Sequence, residues 1–460
     1  MTVPVSQPAL AAHLRATARL GLPLIGSHLA QFAISLTDAL MLGWYDIDAL
    51  AAEVLGGALF FVLFLVGSGF AWAVMPMVAT AAGAGDEVQV RRVTRMGLWI
   101  STGFGLMCLP LFVVAEWLFL RLGQAPEMAA IAQVYLTIAG PALVPALLVM
   151  VLKSYLAALE RTRVVLGVTL AAVALNALGN YALIFGNWGL PELGVRGAAL
   201  ASVLVNLASM MALVAYAARA VPAHTLFHRL WRPDWEAFAR VFRLGWPIGL
   251  TNLAEVGLFA ASSVMMGWLG TLALAAHGIA LQITSAVFMV HLGLSNAATI
   301  RAGRAMGQAD RVGLRRGAVA ALILSGLTVA VSIVVFLAFP EPLIGLFLSP
   351  DDQDRAAVVA MGVGLLAAAA LFQMVDAAQV MALGLLRGVQ DTRVPMIMAA
   401  VSYWLVGMPV AYLLGFGLGW GGVGIWLGLA AGLALAGVLM MYRFWAVHGR
   451  RTLDNRPASR

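Results

Sequence analysis

The sequence predicts an all-α polytopic membrane protein, with twelve transmembrane helices in two six-helix parallel-repeat lobes around a central cavity. Three observations predict it: the composition, the number of long apolar runs, and a register in which the chain matches itself. Of the 460 residues, 62% are hydrophobic and 11% charged, and the mean hydropathy is +0.94. Soluble domains are about 45–50% apolar and about 25% charged, so an ordinary water-soluble enzyme is excluded. Disorder needs low hydrophobicity and high net charge and is excluded too. The single cysteine, Cys108, excludes a disulfide framework, a cysteine zinc site and a redox pair.

A helix crosses the hydrocarbon core with about 20 apolar residues. Twelve runs reach that length: roughly 20–43, 55–79, 96–120, 130–156, 164–186, 196–218, 241–266, 272–300, 317–339, 357–384, 394–416 and 421–443. Glycine and proline within them are compatible with membrane helices. The runs are too long for barrel strands. The first is also too long for a cleaved signal peptide and has no small-residue cleavage site after it.

Cytoplasmic loops concentrate Lys and Arg. Alternate loops, with both termini, collect 25 of the 28 cationic residues, including Arg91, Lys153, Arg301 and Arg387; the opposite side holds only Arg121, Arg196 and Arg355. Both termini are therefore expected in the cytoplasm. Asp46, Asp48, Glu127, Glu192, Glu341 and the Asp351–Asp354 cluster are expected outside, and Glu116 at the interface. This bias accounts for the net charge of +7 without a nucleic-acid partner.

Displacing the chain by 224 residues aligns it with itself without a gap. Leu20-Gly21-Leu22-Pro23 meets Leu244-Gly245-Trp246-Pro247, Gly43-Trp44 meets Gly267-Trp268, and Ala49-Leu50-Ala51-Ala52 meets Ala273-Leu274-Ala275-Ala276. Gly83, Asp86, Arg91 and Arg92 meet Gly307, Asp310, Arg315 and Arg316. Six spans per half is an even number, so the halves enter the membrane alike, as parallel repeats. The expected boundaries are an N-terminal lobe at 1–218, a cytoplasmic linker at 219–240, a C-terminal lobe at 241–443 and a basic tail at 444–460. Such an architecture fits an alternating-access transporter.

Carboxylates within a span are costly and point to function. Three are deep: Asp38, Glu255 and Asp376. Counting about 1.5 Å per residue from the arginine collar puts Glu255 and Asp376 roughly 18 and 16 Å in, on one level. The same count puts Asp38, Asn180 and Ser202 at roughly 25–28 Å, with Asn176 one turn from Asn180 on the same helix face. No Lys or Arg is expected in the deep spans, which leaves a proton, a metal cation or a cationic substrate to satisfy the acids. Oxygen donors suit Na⁺ or H⁺ far better than zinc. The repeat aligns Glu255 with Gln31 and Asp38 with Ser262, so the frame is shared while the chemistry differs.

Those residues, in their context, resemble the multidrug and toxic compound extrusion (MATE) family, in its NorM-like branch. The carrying stretches are Leu36–Gly43, Asn176–Gly186, Gly194–Ser202, Glu255 with Phe259, Leu274–His277, Ala297–Gly303, and Asp376 with Leu386–Pro395. The resemblance covers about 15–445. It implies a twelve-helix pump that exports amphipathic, mostly cationic drugs or dyes against Na⁺ or H⁺, acting as a monomer in a bacterial inner membrane without a cofactor. It further implies a C-lobe cation site at Glu255, Asp376 and Phe259, where Na⁺ fits between the two acids. An N-lobe site is implied at Asp38, Asn176, Asn180 and Ser202. Asn180 departs from the second Asp of some members, Ser202 from a common Thr, and His291 from a common Pro, so coupling is expected to centre on the C-lobe. Gln31 and His291 are expected as accessory residues, with His28 a second intramembrane histidine and His277 a scaffold position at a span edge.

The rival readings are weaker. A lipid-linked precursor flippase of the same superfamily would favour a cationic cavity. An intramembrane enzyme would need a Gly-x-Ser-x-Gly elbow or a zincin-type His pair, and neither is present. A channel would need a carbonyl filter or a matched charge ring.

Overall fold

The computed structural model describes residues 9–350 and 353–448, and these form helices and turns without a strand. Helix α1 (Leu10–Tyr45) is separated from α2 (Ile47–Gly83) by Asp46 alone. The Asp46 carboxylate accepts from Ala49 N at 2.9 Å and so starts α2 as its N-cap. Asp86 does the same for α3 (Glu87–Val113), accepting from Gln89 N at 2.8 Å. Its repeat counterpart Asp310 accepts from Gly313 N at 2.8 Å. The third predicted run, 96–120, is not one helix. It breaks at Val114, where φ is −102° and ψ 15°, four residues after Pro110, and resumes as α4 (Ala115–Arg121).

The fourth span is built from α5 (Pro126–Ala139) and α6 (Leu143–Ala158), joined by one 3₁₀ turn. Helix α7 (Thr162–Phe185) ends at Gly186. With φ of 69° and a Cβ position 2.8 Å from Glu192 N, that residue favours glycine. Then come α8 (Val195–Ala220), α9 (Trp235–Leu269), α10 (Thr271–Gly307), α11 (Arg311–Ala338), a short α12 (Pro340–Gly345) and α13 (Arg355–Gly388). The eleventh span alternates α14 (Arg393–Ala400), a π segment Val401–Gly407, α15 (Met408–Tyr412) and a second π segment. Helix α16 (Gly421–Arg443) completes the described spans, and twelve helical runs are long and apolar enough to cross a membrane. Residues 449–460 of the expected basic tail, with Arg450, Arg451, Arg456 and Arg460, lie outside the described residues, as do Asp351 and Asp352.

The helices pack as two compact units. One holds Gly26–Leu253, and the other holds the chain up to Ile25 together with that from Ala254 onward. We call them the N-repeat and C-repeat units. The division falls inside α1 and α9, so the opening segment of each repeat packs in the unit built mainly from the other. Glycine makes this possible. In the N-repeat unit, a Cβ on Gly69 of α2 would lie 2.5 Å from Gly245 O and 2.7 Å from Gly249 Cα of α9. In the C-repeat unit, a Cβ on Gly293 of α10 would lie 2.6 Å from Ile25 N of α1. Gly69 and Gly293 are 224 residues apart, so both repeats use the same close approach. Small residues permit such backbone contact in membrane bundles.

Helix α13 packs against α10, α11 and α16 at the centre of the C-repeat unit, around the fully buried Trp426 and Tyr403. In the N-repeat unit α2 packs on α3, α5 and α6. The polar segment before α9 is tied to α3. Arg92 pairs through Nε with Asp234 and through Nη2 with Asp234 Oδ1 (3.0 Å) and Glu236 Oε2 (2.8 Å). Arg95 Nε donates to Leu226 O at 2.7 Å, and Trp99 Nε1 to Leu230 O at 2.8 Å. The Arg92 hydrogen bonds hold the Asp234 carboxyl below its ordinary value.

Candidate functional site

In the C-repeat unit, Glu255 on α9 and Asp376 on α13 are buried, at 9% and 1% exposure, and stand within electrostatic reach of each other. The structure thus brings together the two acids that the sequence puts on one level. Glu255 Oε1 and Asp376 Oδ1 have no hydrogen-bond partner among the described residues. Phe259, one turn beyond Glu255, meets Phe372 edge to face at 5.9 Å, and Phe372 meets Trp426 in the same way at 5.3 Å. Phe259 therefore belongs to an aromatic wall beside the acids.

Two residues of this site escape the sequence reading. Gln373 and Gln379 flank Asp376 three residues to either side on α13. Gln379 Nε2 donates to Tyr403 Oη at 2.6 Å, and Gln373 Nε2 to Thr284 O at 3.3 Å. Both amide oxygens are buried without a partner among the described residues. The three-residue spacing on one apolar helix was the signal for them. Tyr403 sits in the π segment of the eleventh span, a local widening frequent at functional sites.

Two corrections concern charge. Arg387, read as part of the arginine collar, is buried at 9% exposure in the last turn of α13, within electrostatic reach of Glu255. Lys153, counted with the cytoplasmic loops although the run 130–156 spans it, lies inside α6, and its Nζ is 3.4 Å from Gln31 Oε1. The spans therefore do hold cationic side chains. Counting apolar residues misplaces them, because long stems let Lys and Arg sit within apolar runs.

In the N-repeat unit, Asp38 Oδ1 accepts from Asn176 Nδ2 at 2.8 Å and from Asn180 Nδ2 at 2.6 Å. Both asparagines are fully buried on one face of α7, as their i, i+4 spacing predicts. Ser202 makes no hydrogen bond to this carboxylate among the described residues; its carbonyl accepts from Asn206 Nδ2 at 2.9 Å. An unpredicted acid joins instead. Glu53 of α2 is within electrostatic reach of Asp38, and the buried Tyr135 feels both acids.

The repeat offers a signal for Glu53, since 224 residues on stands His277. In the C-repeat unit, Trp426 Nε1 donates to His277 Nδ1 at 3.1 Å. The His277 Nε2–H is then the donor to Ser263 Oγ at 3.1 Å, with Ser262 Oγ at 3.5 Å. His277, expected as scaffold at a span edge, is the hub of a buried polar cluster. The positions of Asp38 and Glu53 in one unit are those of Ser262 and His277 in the other. His291, fully buried, pairs Nδ1 with Ser325 Oγ at 3.1 Å, while its Nε2 lacks a partner among the described residues. No group of three or more His, Cys, Asp or Glu side chains able to hold a metal occurs among the described residues.

Two segments, 23–182 and 247–413, match the MatE family model. They span most of the chain and correspond to its two halves. The chain belongs to the MatE family. A "Probable multidrug resistance protein NorM" of Rhizobium meliloti is 48% identical over 435 residues, covering 94% of this chain and 93% of that protein. A protein of the same name from Agrobacterium fabrum is 45% identical, covering 96% of each. Among solved structures, an outward-facing multidrug resistance MATE family transporter of the MOP superfamily matches with a TM-score of 0.86 at 18% identity, over 96% of this chain and 97% of that one. A eukaryotic MATE transporter matches with a TM-score of 0.83 at 20% identity, over 94% and 95%. These likenesses carry the fold. As a MATE protein the chain is a multi-pass membrane transporter, not an enzyme.

Proposed function

We propose that this MATE protein exports amphipathic, mostly cationic organic compounds in exchange for Na⁺ or H⁺, by alternating access. The carrying observation is the pair Glu255 and Asp376: two buried acids in mutual electrostatic reach, each with an unpartnered oxygen. Arg387 reaches Glu255, but one guanidinium against two acids leaves Asp376 uncompensated in an apolar interior, so a proton or a cation must share the site for part of the cycle. The oxygens of Gln373 and Gln379 add acceptors of the kind that hard cations use. Two carboxylates and two amides fit Na⁺, and the acids alone fit H⁺. In this reading the ion holds one state and the drug the other, and their differing affinities for the two states drive the switch. Asp38 with Asn176, Asn180 and Glu53 forms a second polar site. A single chain in the bacterial inner membrane, both termini cytoplasmic, suffices for the cycle.

The test is dye uptake by proteoliposomes under an imposed Na⁺ gradient and then a pH gradient. Wild type is expected to respond to at least one, and Asp376→Asn to neither, at equal reconstitution. Asp376→Asn uptake at the wild-type rate would refute the coupling role.

A further inference from the structure

Between α3 and the segment before α9, within the N-repeat unit, lies an open cavity of about 420 Å³. Arg92, Arg95 and Arg232 line it, with Asp234, Met96 and Trp235. Arg92 is spent on Asp234 and Glu236. Arg95 gives Nε to Leu226 O and Nη2 to Thr225 O and His228 O. Those carbonyls fix its guanidinium without cancelling the charge, and its Nη1 has no acceptor among the described residues. Arg232 is exposed and makes no ion pair among the described residues. Three guanidiniums against two carboxylates leave one positive charge over, and Glu236 also faces Arg240 at 3.8 Å.

The rim of this basic cavity is apolar. Trp231 and Trp235, on either side of Arg232, are 72% and 67% exposed. Trp235 meets Phe238 edge to face at 5.6 Å. Phe242, seven residues past Trp235 on the same face of α9, is 45% exposed. Trp235 opens a span, where tryptophan gathers at the membrane–water interface. A strip of rings thus runs from the cavity along a spanning helix.

The repeat shows that this arrangement belongs to one half. Arg92 has its counterpart in Arg316, but Arg95 and Trp99, which hold the segment, meet Val319 and Ile323. The C-repeat unit keeps the pairing arginine and lacks the two residues that build the cavity wall.

We infer that this cavity binds an anionic phospholipid, with Arg232 and Arg95 on its phosphodiester and an acyl chain along Trp235 and Phe242. One surplus positive charge matches the single negative charge of a phosphodiester. A phosphate monoester carries about −1.5 to −2 and would overshoot it. The guanidinium fork spans two phosphate oxygens. A choline headgroup would set its own cation among the arginines. Lipid held there pins the segment joining the repeats to the bilayer surface. The inference goes beyond the export reading and stands without it.

The test is native mass spectrometry of the delipidated full-length protein, titrated with palmitoyl-oleoyl phosphatidylglycerol or palmitoyl-oleoyl phosphatidylcholine. The readout is Kd for the first lipid bound. Wild type is expected to bind the phosphatidylglycerol about fivefold more tightly, which is about 1 kcal/mol, the worth of one arginine beside anionic lipid. Arg232→Gln is expected to raise the phosphatidylglycerol Kd about fivefold and to hold the phosphatidylcholine Kd within about twofold. Trp235→Ala is expected to weaken phosphatidylglycerol by a like factor, and it decides the matter if Arg232→Gln fails to fold. Arg315→Gln removes an exposed arginine from the C-repeat unit and is expected to leave both constants within about twofold. Equal wild-type affinity for the two lipids overturns the inference, as does an unchanged phosphatidylglycerol Kd in the folded variants. An Arg315→Gln effect as large as that of Arg232→Gln overturns it in favour of general surface charge. Displacement of the lipid by an equal concentration of inorganic phosphate overturns it in favour of a soluble anion.

Discussion

The crossing of α2 and α9 admits a direct test of how the repeats interlock. A Cβ on Gly69 would stand 2.7 Å from Gly249 Cα and 2.5 Å from Gly245 O. A Cβ on Gly249 would stand 2.5 Å from Val66 O. Ordinary carbon contacts begin near about 3.5 Å, so Gly69→Ala or Gly249→Ala must part the two backbones by most of an ångström. Neither obstacle is a flexible side chain that could turn aside. Overpacking of this kind costs about 1–3 kcal/mol. For a unit of this size, each kcal/mol moves the melting midpoint by about 2–4 °C, which gives a fall of about 2–12 °C. The chain supplies its own reporter. Its one cysteine, Cys108, is 3% exposed in the core of the same unit, so a thiol-reactive fluorogenic maleimide reads unfolding directly. Gly103→Ala is the control, because a Cβ there meets nothing within 4 Å. It gains the helix preference of alanine, about 0.5–1 kcal/mol, and should not lower the midpoint. A Gly69→Ala midpoint equal to that of Gly103→Ala would refute the close approach.

Three further outcomes follow from the bonds described. In a double-mutant cycle of Asp38→Ala and Asn180→Ala, the coupling is expected at about 2 kcal/mol, the range of bonds to a charged group; a coupling below about 0.5 kcal/mol would remove the Asp38–Asn180 bond from the site. Trp426→Phe keeps a ring against Phe372 but leaves His277 Nδ1 without its donor, a loss of about 1–3 kcal/mol that should appear as a lower melting midpoint, and an unaltered midpoint would place the indole elsewhere. Asp234→Asn should lower stability by about 1 kcal/mol, the upper range for a partly exposed pair. Because the folded Asp234 carboxyl titrates below its unfolded value of about 3.9, that difference should persist from pH 8 to pH 5, decline as pH falls below about 4 and be lost below the folded value, and a difference that does not shrink between pH 5 and pH 3 would refute the Arg92 pairing as its cause.

Much of this was legible in the sequence, and the reason is the bilayer. A span must be about 20 apolar residues long, so composition alone marks all twelve. Asp38 with Asn176 and Asn180 was legible because i, i+4 spacing fixes a shared face and depth counting brings the two helices to one level. What escaped depends on packing. Lys153 is grouped with the cytoplasmic cations by its charge although the fourth apolar run, 130–156, already spans it, and α6 continues five residues past it. Arg387 lies at the end of α13, and only the neighbouring helices bury it. Glu53 sits just after a connection that shrinks to the single residue Asp46, so it falls inside a helix that the apolar run places later. The exchange of the opening segments of α1 and α9 is a tertiary choice, and in the sequence its trace is two glycines in matching positions.

The two halves also show which positions a duplicated frame constrains. Gly69 and Gly293 are alike because backbone stands against each, and no side chain fits without moving a helix. Asp86 and Asp310 are alike because each caps a helix through its own carboxylate. At the polar positions the halves part: Gln31 against Glu255, Asp38 against Ser262, Glu53 against His277. No close backbone approach of the kind at Gly69 and Gly293 is needed at these positions, so the side chains are free to follow the chemistry of each unit. The amide and ammonium of the N-repeat unit and the paired acids of the C-repeat unit are therefore the informative contrast.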